Sequence, residues 1–227
     1  MSVSESETDG KLRRRLPEER PGQILEAALA EFGERGLAGA RLDDIARRAG
    51  VAKGTIYLYF PNKEALFREV VLTTIVARIE EVERAALATQ GTTTELLGAF
   101  MQLWWDILRS PHFSTLHRLV ISELRSFPDV AEFYSREVIA RMHRMVGGII
   151  ERGVVSGEFR DVVPRVAARM ISSMFVSQAL WCGHRQAFKG VDFPTDDGVA
   201  FAELSDFVLH AIGAIPPAPP AALAAPE

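Results

Sequence analysis

Side chains suited to binding nucleic acid are concentrated in one short segment, residues 53–59. The candidates for its outward face are Lys53, Gly54, Thr55, Tyr57 and Tyr59. A lysine at the start of a helix can reach a guanine edge or a phosphate. A tyrosine offers its hydroxyl to a phosphate and its ring to a sugar or a thymine methyl group. Because glycine has no side chain, the backbone at Gly54 can come close to a groove. We therefore predict that this segment is a short helix that contacts DNA.

The residues before this segment predict how it is held. Within residues 42–61, Ala46 is small where two helices must approach, and Gly50 follows four residues later, where the first helix must end. Glycine takes the positive φ of such a turn at low cost. Ile56 then faces back onto the first helix. This spacing is typical of a helix-turn-helix, whose second helix enters the major groove. The alternative is an ordinary helical hairpin, which would not explain the lysine and tyrosines on the outer face.

Two further helices are predicted to flank the motif. The first covers residues 21–35 and ends at Gly36. After the motif, Pro61 ends the DNA-contacting helix and Asn62 is a good N-cap for a long helix over residues 63–87. The partial positive charge of that helix N-terminus, together with Lys63, predicts a phosphate clamp.

The charge distribution fits a DNA-binding head on an acidic body. The net charge is −4, but residues 11–70 carry twelve Lys/Arg against nine Asp/Glu. A basic cluster, Lys11 with Arg13, Arg14 and Arg15, precedes the first predicted helix. Residues 1–19 are expected to be a disordered arm, which either touches phosphates or the minor groove or is simply a solvated charged tail.

Residues 20–70 resemble the N-terminal domain of the TetR family of bacterial transcriptional regulators. The residues that carry the resemblance are Phe32, Gly36, Ile45, Ala46, Gly50, Val51, Lys53, Gly54, Thr55, Ile56, Tyr57, Tyr59, Phe60, Lys63 and Leu66. The resemblance implies an all-helical homodimer that binds a palindromic operator, usually as a repressor. It also implies a C-terminal domain that binds a small-molecule effector.

Two positions depart from the pattern of that family. Arg41 stands where a Thr or Ser usually caps the helix before the turn, so either Asp43 or Asp44 partly substitutes or the cap is weak. Arg41 is also a candidate for a direct phosphate contact. Asp43 replaces a residue that is often polar or basic in relatives, and a carboxylate near phosphate is unfavourable.

The fold class predicted for the whole chain is all-α, with a three-helix helix-turn-helix head in residues 20–68 and a multi-helix domain in residues 69–214. Helices of this second domain are predicted over residues 96–109, 113–126, 128–153, 164–188 and 195–214. Thr92 to Glu95 give an N-terminal signal for the first of them. The tail over residues 215–227 is rich in Pro and Ala and is expected to be disordered.

The last two helices are expected to form the homodimer interface, as the resemblance suggests. The apolar residues proposed for this interface are Ile171, Phe175, Ala179, Phe201, Leu204, Phe207 and Val208. The alternative is that these residues only fill the core of one chain. One short helix contacts too few base pairs to specify a site. A two-fold symmetric dimer would double the number of base pairs contacted.

An effector pocket is predicted from the aromatic and sulfur-containing residues of the second domain. The candidates are Trp104, Trp105, Phe113, His117, Phe133, Met142, Met145, Met174 and Trp181. For each of them, packing in the core is the alternative. The composition hints at an apolar or aromatic effector.

The remaining sequence features argue against other functions. The single cysteine, Cys182, cannot form an intrachain disulfide, and no long apolar run predicts a membrane span or a signal peptide. A cytoplasmic protein is therefore expected. No motif of a hydrolase, a nucleotide-binding loop or a zinc protease is present, so neither catalysis nor a metal or cofactor is predicted. An architectural DNA binder without an effector is the remaining rival.

Overall fold

The structure is a computed structural model that describes residues 20–88, 91–187, 190–194 and 196–213. Over these ranges the chain forms helices and no strands, which confirms the predicted all-α class. The chain divides into two compact units, with the boundary between Phe67 and Arg68. The predictions for the arm over residues 1–19 and for the tail over residues 215–227 lie outside the described residues.

The first unit contains α1 (Arg20–Gly39), α2 (Leu42–Ala49), α3 (Lys53–Tyr59) and the first residues of α4 (Lys63–Val71). Helix α1 is interrupted at Gly36, where φ is 74°. The helix was predicted to end at this residue, but one more helical turn follows it. The core of the unit contains two aromatic side chains: Phe32 and Phe67 are fully buried and meet edge to face, with ring centroids 5.8 Å apart.

The turn between α2 and α3 has the geometry that the sequence predicts. Gly50 adopts a left-handed conformation with φ 66°, and its N–H bonds to carbonyls in the last turn of α2. Val51 donates its N–H to the Ala46 carbonyl at 3.0 Å. Ala46 and Ile56 are both buried, so the two helices pack closely. The helix-turn-helix prediction is therefore confirmed.

The predicted helix over residues 63–87 is present but changes its winding. Helix α4 passes through a π turn (Leu72–Val76) into α5 (Ala77–Ala88). The Thr73 hydroxyl donates to the Glu69 carbonyl at 2.8 Å and the Thr74 hydroxyl to the Val70 carbonyl at 2.6 Å. Hydroxyls that bond back to the preceding turn commonly accompany such local distortions of a helix.

Six further helices complete the described part of the second unit: α6 (Thr93–Leu108), α7 (Pro111–Glu123), α8 (Pro128–Tyr134), α9 (Arg141–Ser156), α10 (Pro164–Gly183) and α11 (Asp197–Ala211). Short 3-10 turns follow α7 (Leu124–Ser126) and α10 (Arg185–Ala187), and a π turn (Ser135–Ala140) joins α8 to α9. The predicted start of α6 is confirmed, since Thr92 and Glu95 form a reciprocal capping box.

Helix α10 ends at Gly183, earlier than the predicted residue 188. Two arginines from outside the helix bind its last carbonyls: Arg185 Nε donates to Cys182 at 2.8 Å and Arg109 Nη1 to Ala179 at 3.3 Å. Both arginines also form ion pairs with Asp197 at the start of α11. The bond from Arg185 satisfies the Cys182 carbonyl, which a longer helix would have bonded internally.

None of the helices in the described ranges combines the length and the apolar character that crossing a membrane requires.

Candidate functional site

Helix α3 presents an open outer face. Tyr57 and Tyr59 are 46% and 44% exposed, whereas Ile56 on the opposite side is fully buried. At Gly54, a Cβ atom added to the backbone would have no neighbour within 4 Å, so the backbone there is accessible. Lys53 and Thr55 lie on the same short helix, with Lys53 exposed. The structure therefore brings together five of the seven residues predicted to contact DNA.

Asp43 of α2 holds two of these side chains in place. Its carboxylate accepts hydrogen bonds from Lys53 Nζ at 2.7 Å and from Tyr57 Oη at 3.3 Å. The Lys53 ammonium also lies 6.0 Å from the centroid of the Tyr57 ring, within reach of a cation–π interaction. The hydrogen bond from Lys53 lowers the pKa of Asp43, and the same bond raises the pKa of Lys53. This positioning role of Asp43 is not apparent from the sequence.

The start of α2 lacks a side-chain cap, as the departure at Arg41 suggested. The Arg41 side chain makes no capping hydrogen bond. Among the described residues, both nearby carboxylates have side-chain partners instead, since Asp44 pairs with Arg47 and Arg35 while Asp43 binds Lys53 and Tyr57. Their negative charge still favours the positive end of the helix dipole. Arg41 itself is exposed, and its predicted phosphate contact stays a prediction.

Arg48 of α2 binds two carboxylates of α1 within the first unit. Its guanidinium donates to Glu34 at 2.9 Å and to the buried Glu31 at 3.3 Å, both on α1. The hydrogen bond from Arg48 lowers the pKa of Glu34, and the same bond raises the pKa of Arg48. Arg48 therefore ties α2 to α1, so a phosphate would have to compete with two carboxylates for it.

Lys63 begins α4 beside the predicted cap. Asn62 Oδ1 accepts the Ala65 N–H at 2.7 Å, which confirms the N-cap prediction. The Lys63 ammonium donates to the Ala38 carbonyl at 2.7 Å. The contact positions the lysine against the end of α1, and its role as a phosphate clamp stays a prediction.

The second unit contains a cavity of about 360 Å³ that opens to the surface. Its lining comes from α6, α7, α8, the π turn after α8, α9 and α10. The lining residues are Trp104, Phe113, His117, Val120, Ile121, Tyr134, Val138, Ile139, Met142, His143, Ser172, Ser173, Val176 and Ser177. Small-molecule sites in proteins commonly have volumes of about 300–1,000 Å³, so this cavity is at the small end of the range.

Four of the nine predicted effector residues line the cavity: Trp104, Phe113, His117 and Met142. Trp104 meets Phe113 edge to face at 6.0 Å, and His117 stacks on Phe113 at 5.5 Å. Sequence reasoning missed Tyr134 and Ser172 as cavity residues, because nothing in a helical apolar pattern separates a residue on a cavity wall from one in the core.

The other five predicted effector residues lie elsewhere. Trp105 packs against Phe175 and Phe201, with centroids 6.2 and 6.1 Å away. Trp181 is 44% exposed and stacks on Phe193. The remaining three also lie outside the lining of this cavity: Phe133, Met145 and Met174.

The residues predicted for the dimer interface are mostly buried within a single chain. Five of them are less than 9% exposed: Ile171, Phe175, Ala179, Leu204 and Val208. A side chain that is already covered by its own chain cannot present apolar surface to a partner. Of the predicted set, Phe207 is 60% exposed. Other exposed apolar residues of α10 and α11 are Met170, Trp181 and Val199.

Comparison with known proteins identifies the family. The family model for bacterial regulatory proteins of the tetR family matches residues 24–70, and the model for the C-terminal domain of AefR-like transcriptional repressors matches residues 95–196. The fatty acid metabolism regulator protein of Bacillus subtilis (strain 168) is 32% identical over 160 residues, which cover 66% of this chain and 76% of that protein. The chain belongs to the TetR family of bacterial transcriptional regulators.

Solved structures of bacterial regulators share the fold. The transcriptional regulator FadR from Bacillus subtilis, solved in complex with stearoyl-CoA, is 25% identical, with a TM-score of 0.65 over 84% of this chain and 96% of that chain. The fatty acid degradation regulator FadR from Bacillus halodurans is 20% identical, with a TM-score of 0.67 over 87% of this chain and 97% of that chain. TetR-family members are DNA-binding regulators and not enzymes, which supports the prediction of a non-catalytic protein.

Proposed function

We propose that this TetR-family protein is a repressor that binds a palindromic operator as a homodimer and releases it when a small apolar molecule binds the second unit. The observation that carries the proposal is the exposed face of α3, where a lysine and two tyrosines surround an accessible glycine backbone. This face belongs to the helix of a helix-turn-helix that such motifs insert into the major groove.

Binding to DNA would exchange one anion for another at this face. Lys53 and Tyr57 already donate to a carboxylate, Asp43, at 2.7 and 3.3 Å. Phosphate oxygens accept the same hydrogen bonds, and phosphate contacts position a protein on the duplex. Neutralisation of phosphates also releases counterions, so operator affinity should fall steeply with salt.

The homodimer would form through exposed apolar residues of α10 and α11. Met170, Trp181, Val199 and Phe207 are between 41% and 60% exposed. A surface groove between these two helices is lined by Trp181, Leu204 and Phe207 among others. Exposed apolar side chains that line a surface groove, as Trp181 and Phe207 do, are typical of a protein–protein interface. The Phe207→Asp variant should therefore be monomeric by light scattering, with its fold retained by circular dichroism.

The cavity supports a role in effector binding. It is mostly apolar, and the related FadR of Bacillus subtilis was solved in complex with stearoyl-CoA. An effector can change operator affinity only through a difference in its affinity for the DNA-bound and the free arrangement.

The experiment that tests the proposal begins with selection of duplexes from a random pool by the full chain. We expect an inverted repeat, bound by two chains, with half-sites about one DNA turn apart. Small apolar compounds are then screened for release of the selected duplex. Recovery of no consensus, or binding of one chain per duplex, would contradict the repressor proposal. A consensus without any releasing compound would favour the architectural DNA binder.

A further inference from the structure

We propose that the cavity of the second unit selects an uncharged molecule with an apolar body and a hydrogen-bond acceptor such as a carbonyl oxygen, and that the acceptor is bound by the indole N–H of Trp104. The inference rests on the proposed effector role of this cavity. It names the chemistry of the ligand from the residues that line the cavity.

The first observation is a pair of buried polar atoms without partners. Among the described residues, Trp104 Nε1 and Ser172 Oγ have no hydrogen-bond partner, although both atoms are shielded from solvent. The two residues are 4% and 8% exposed, and both line the cavity. An indole N–H can only donate, and a hydroxyl can donate or accept. A buried donor left without an acceptor is unfavourable, so a ligand that supplies one gains affinity.

The second observation is the absence of a fixed cation. The cavity lining includes no Asp, Glu, Lys or Arg among the described residues. Its titratable side chains are His117, His143 and Tyr134. Burial lowers the pKa of His117, and burial together with the charge of the exposed Arg169 lowers the pKa of His143. Burial raises the pKa of Tyr134. Each of these shifts favours the neutral form of its group.

A carboxylate would therefore be a poor ligand for this cavity. Transfer of an anion from water into a site without a cation is strongly unfavourable. A neutral carbonyl compound avoids that cost and still satisfies the indole N–H. The apolar body would lie against the ring pair of Trp104 and Phe113 and the aliphatic side chain of Val138. Two lining residues, Ile121 and Ile139, are 72% and 43% exposed and so mark the mouth of the cavity.

The test compares three compounds of equal length: 2-nonanone, nonanoate and nonane. Binding to the full chain without DNA is measured by calorimetry and by the shift in melting temperature. We expect 2-nonanone to bind at least about tenfold more tightly than nonanoate, because the anion loses its hydration. We expect it to bind roughly threefold to tenfold more tightly than nonane, because only the ketone accepts a hydrogen bond.

Variants identify the donor. Trp104→Phe retains an aromatic ring but removes the N–H, so the preference for the ketone over the hydrocarbon should disappear. Ser172→Ala tests the second unpartnered atom in the same way. The matched control is Trp105→Phe, since Trp105 is the neighbouring tryptophan but lies outside the cavity, against Phe175 and Phe201. This control should keep the ketone preference, and circular dichroism checks that each variant is folded.

Several results would overturn the inference. These are tightest binding by nonanoate, equal binding by ketone and hydrocarbon, no binding by any of the three, or an unchanged ketone preference in folded Trp104→Phe. Operator release is measured separately. Binding of the ketone without release of the operator would refute the proposed regulation but not the ligand class. Release of the operator by a compound that does not compete with the ketone would refute the ligand class but not the proposed regulation.

Discussion

The outer face of α3 and the cavity of the second unit both depend on polar side chains, but under opposite conditions. On α3 the polar groups are exposed and already paired, because Lys53 and Tyr57 donate to Asp43. In the cavity the polar groups are buried, and Trp104 Nε1 and Ser172 Oγ lack partners among the described residues. An exposed, charged face suits a polyanion, whereas a buried wall without charged side chains suits a small apolar molecule.

Because of this difference, the α3 face and the cavity would discriminate among ligands in different ways. On α3 a new anion has to displace an existing carboxylate, so binding depends on the number and placement of charges. In the cavity no side chain or backbone group of the described residues has to be displaced from the indole N–H, so discrimination depends on the cost of leaving a donor unsatisfied or an anion unsolvated. The first three predictions below test the α3 side of this contrast, and the last tests the stability of the helix that carries Trp104.

The largest effect is expected for Tyr57→Ala. Loss of one good contact to DNA typically costs about 1–3 kcal/mol, so affinity for the selected operator should fall by roughly tenfold to a hundredfold. Fluorescence anisotropy measures the change. Binding of 2-nonanone should be unaffected, because Tyr57 belongs to the first unit and the cavity to the second. Unchanged operator affinity would remove Tyr57 from the DNA contacts.

The Lys53→Ala variant should change the response to salt more than the affinity at any one salt concentration. Removal of one phosphate contact lowers the slope of log affinity against log salt by about 1. Lys63→Ala should produce the same change if Lys63 acts as the predicted phosphate clamp. Titrations over a salt series measure both slopes. An unchanged slope in either variant would exclude that lysine as a phosphate contact.

A smaller and opposite effect is expected for Asp43→Asn. Removal of a carboxylate near phosphates should tighten binding to a scrambled duplex by roughly fivefold, in keeping with about 1 kcal/mol of lost repulsion. Operator binding should gain less, because a neutral amide holds Lys53 and Tyr57 in position less firmly than the carboxylate does. The ratio of the two affinities is the measurement. An equal loss of both affinities would mean that Asp43 acts only by orienting its two partners.

The smallest effect concerns stability in the second unit. Glu158 Oε2 accepts the Thr94 N–H at 3.0 Å at the start of α6, the helix that carries Trp104. Hydrogen bonds from the backbone, first that of Thr93, lower the pKa of Glu158 to about 2. Since the folded pKa lies below the ordinary value of 4.5, the ionised form stabilises the fold above pH 4.5, and this contribution is lost as the pH falls towards 2.

The Glu158→Gln variant should therefore melt at a lower temperature than the wild-type chain at pH 7, and the difference should shrink below pH 4. Thermal unfolding followed by circular dichroism measures both curves. A difference that does not vary with pH would show that the charge of Glu158 is unimportant.

Sequence reasoning was accurate where a local rule determines the structure. Gly50 ends α2 because its positive φ favours glycine, Asn62 caps α4, and Thr92 with Glu95 caps α6. Each of these features depends on residues within four positions of one another. The outward direction of α3 also followed from the burial of Ile56.

Sequence reasoning was less accurate where contacts between distant parts of the chain determine the structure. Contacts near the end of α10 come from Arg109 and Asp197, which no local pattern connects to Gly183. The apolar stripes of α10 and α11 predicted a dimer surface, yet residues such as Phe175 and Val208 are covered by their own chain. Helical periodicity shows which side of a helix is apolar, but it does not show whether a core, a cavity or a partner covers that side.

The most direct test of the central claim is a titration of the selected inverted-repeat duplex with the full chain, beside a scrambled duplex of the same length, over a range of salt concentrations. Two chains should bind each inverted repeat, with an affinity well above that for the scrambled duplex and with a steep decline as salt increases. Equal affinity for both duplexes at every salt concentration, or binding as a single chain, would contradict the claim that paired α3 helices read a symmetric operator.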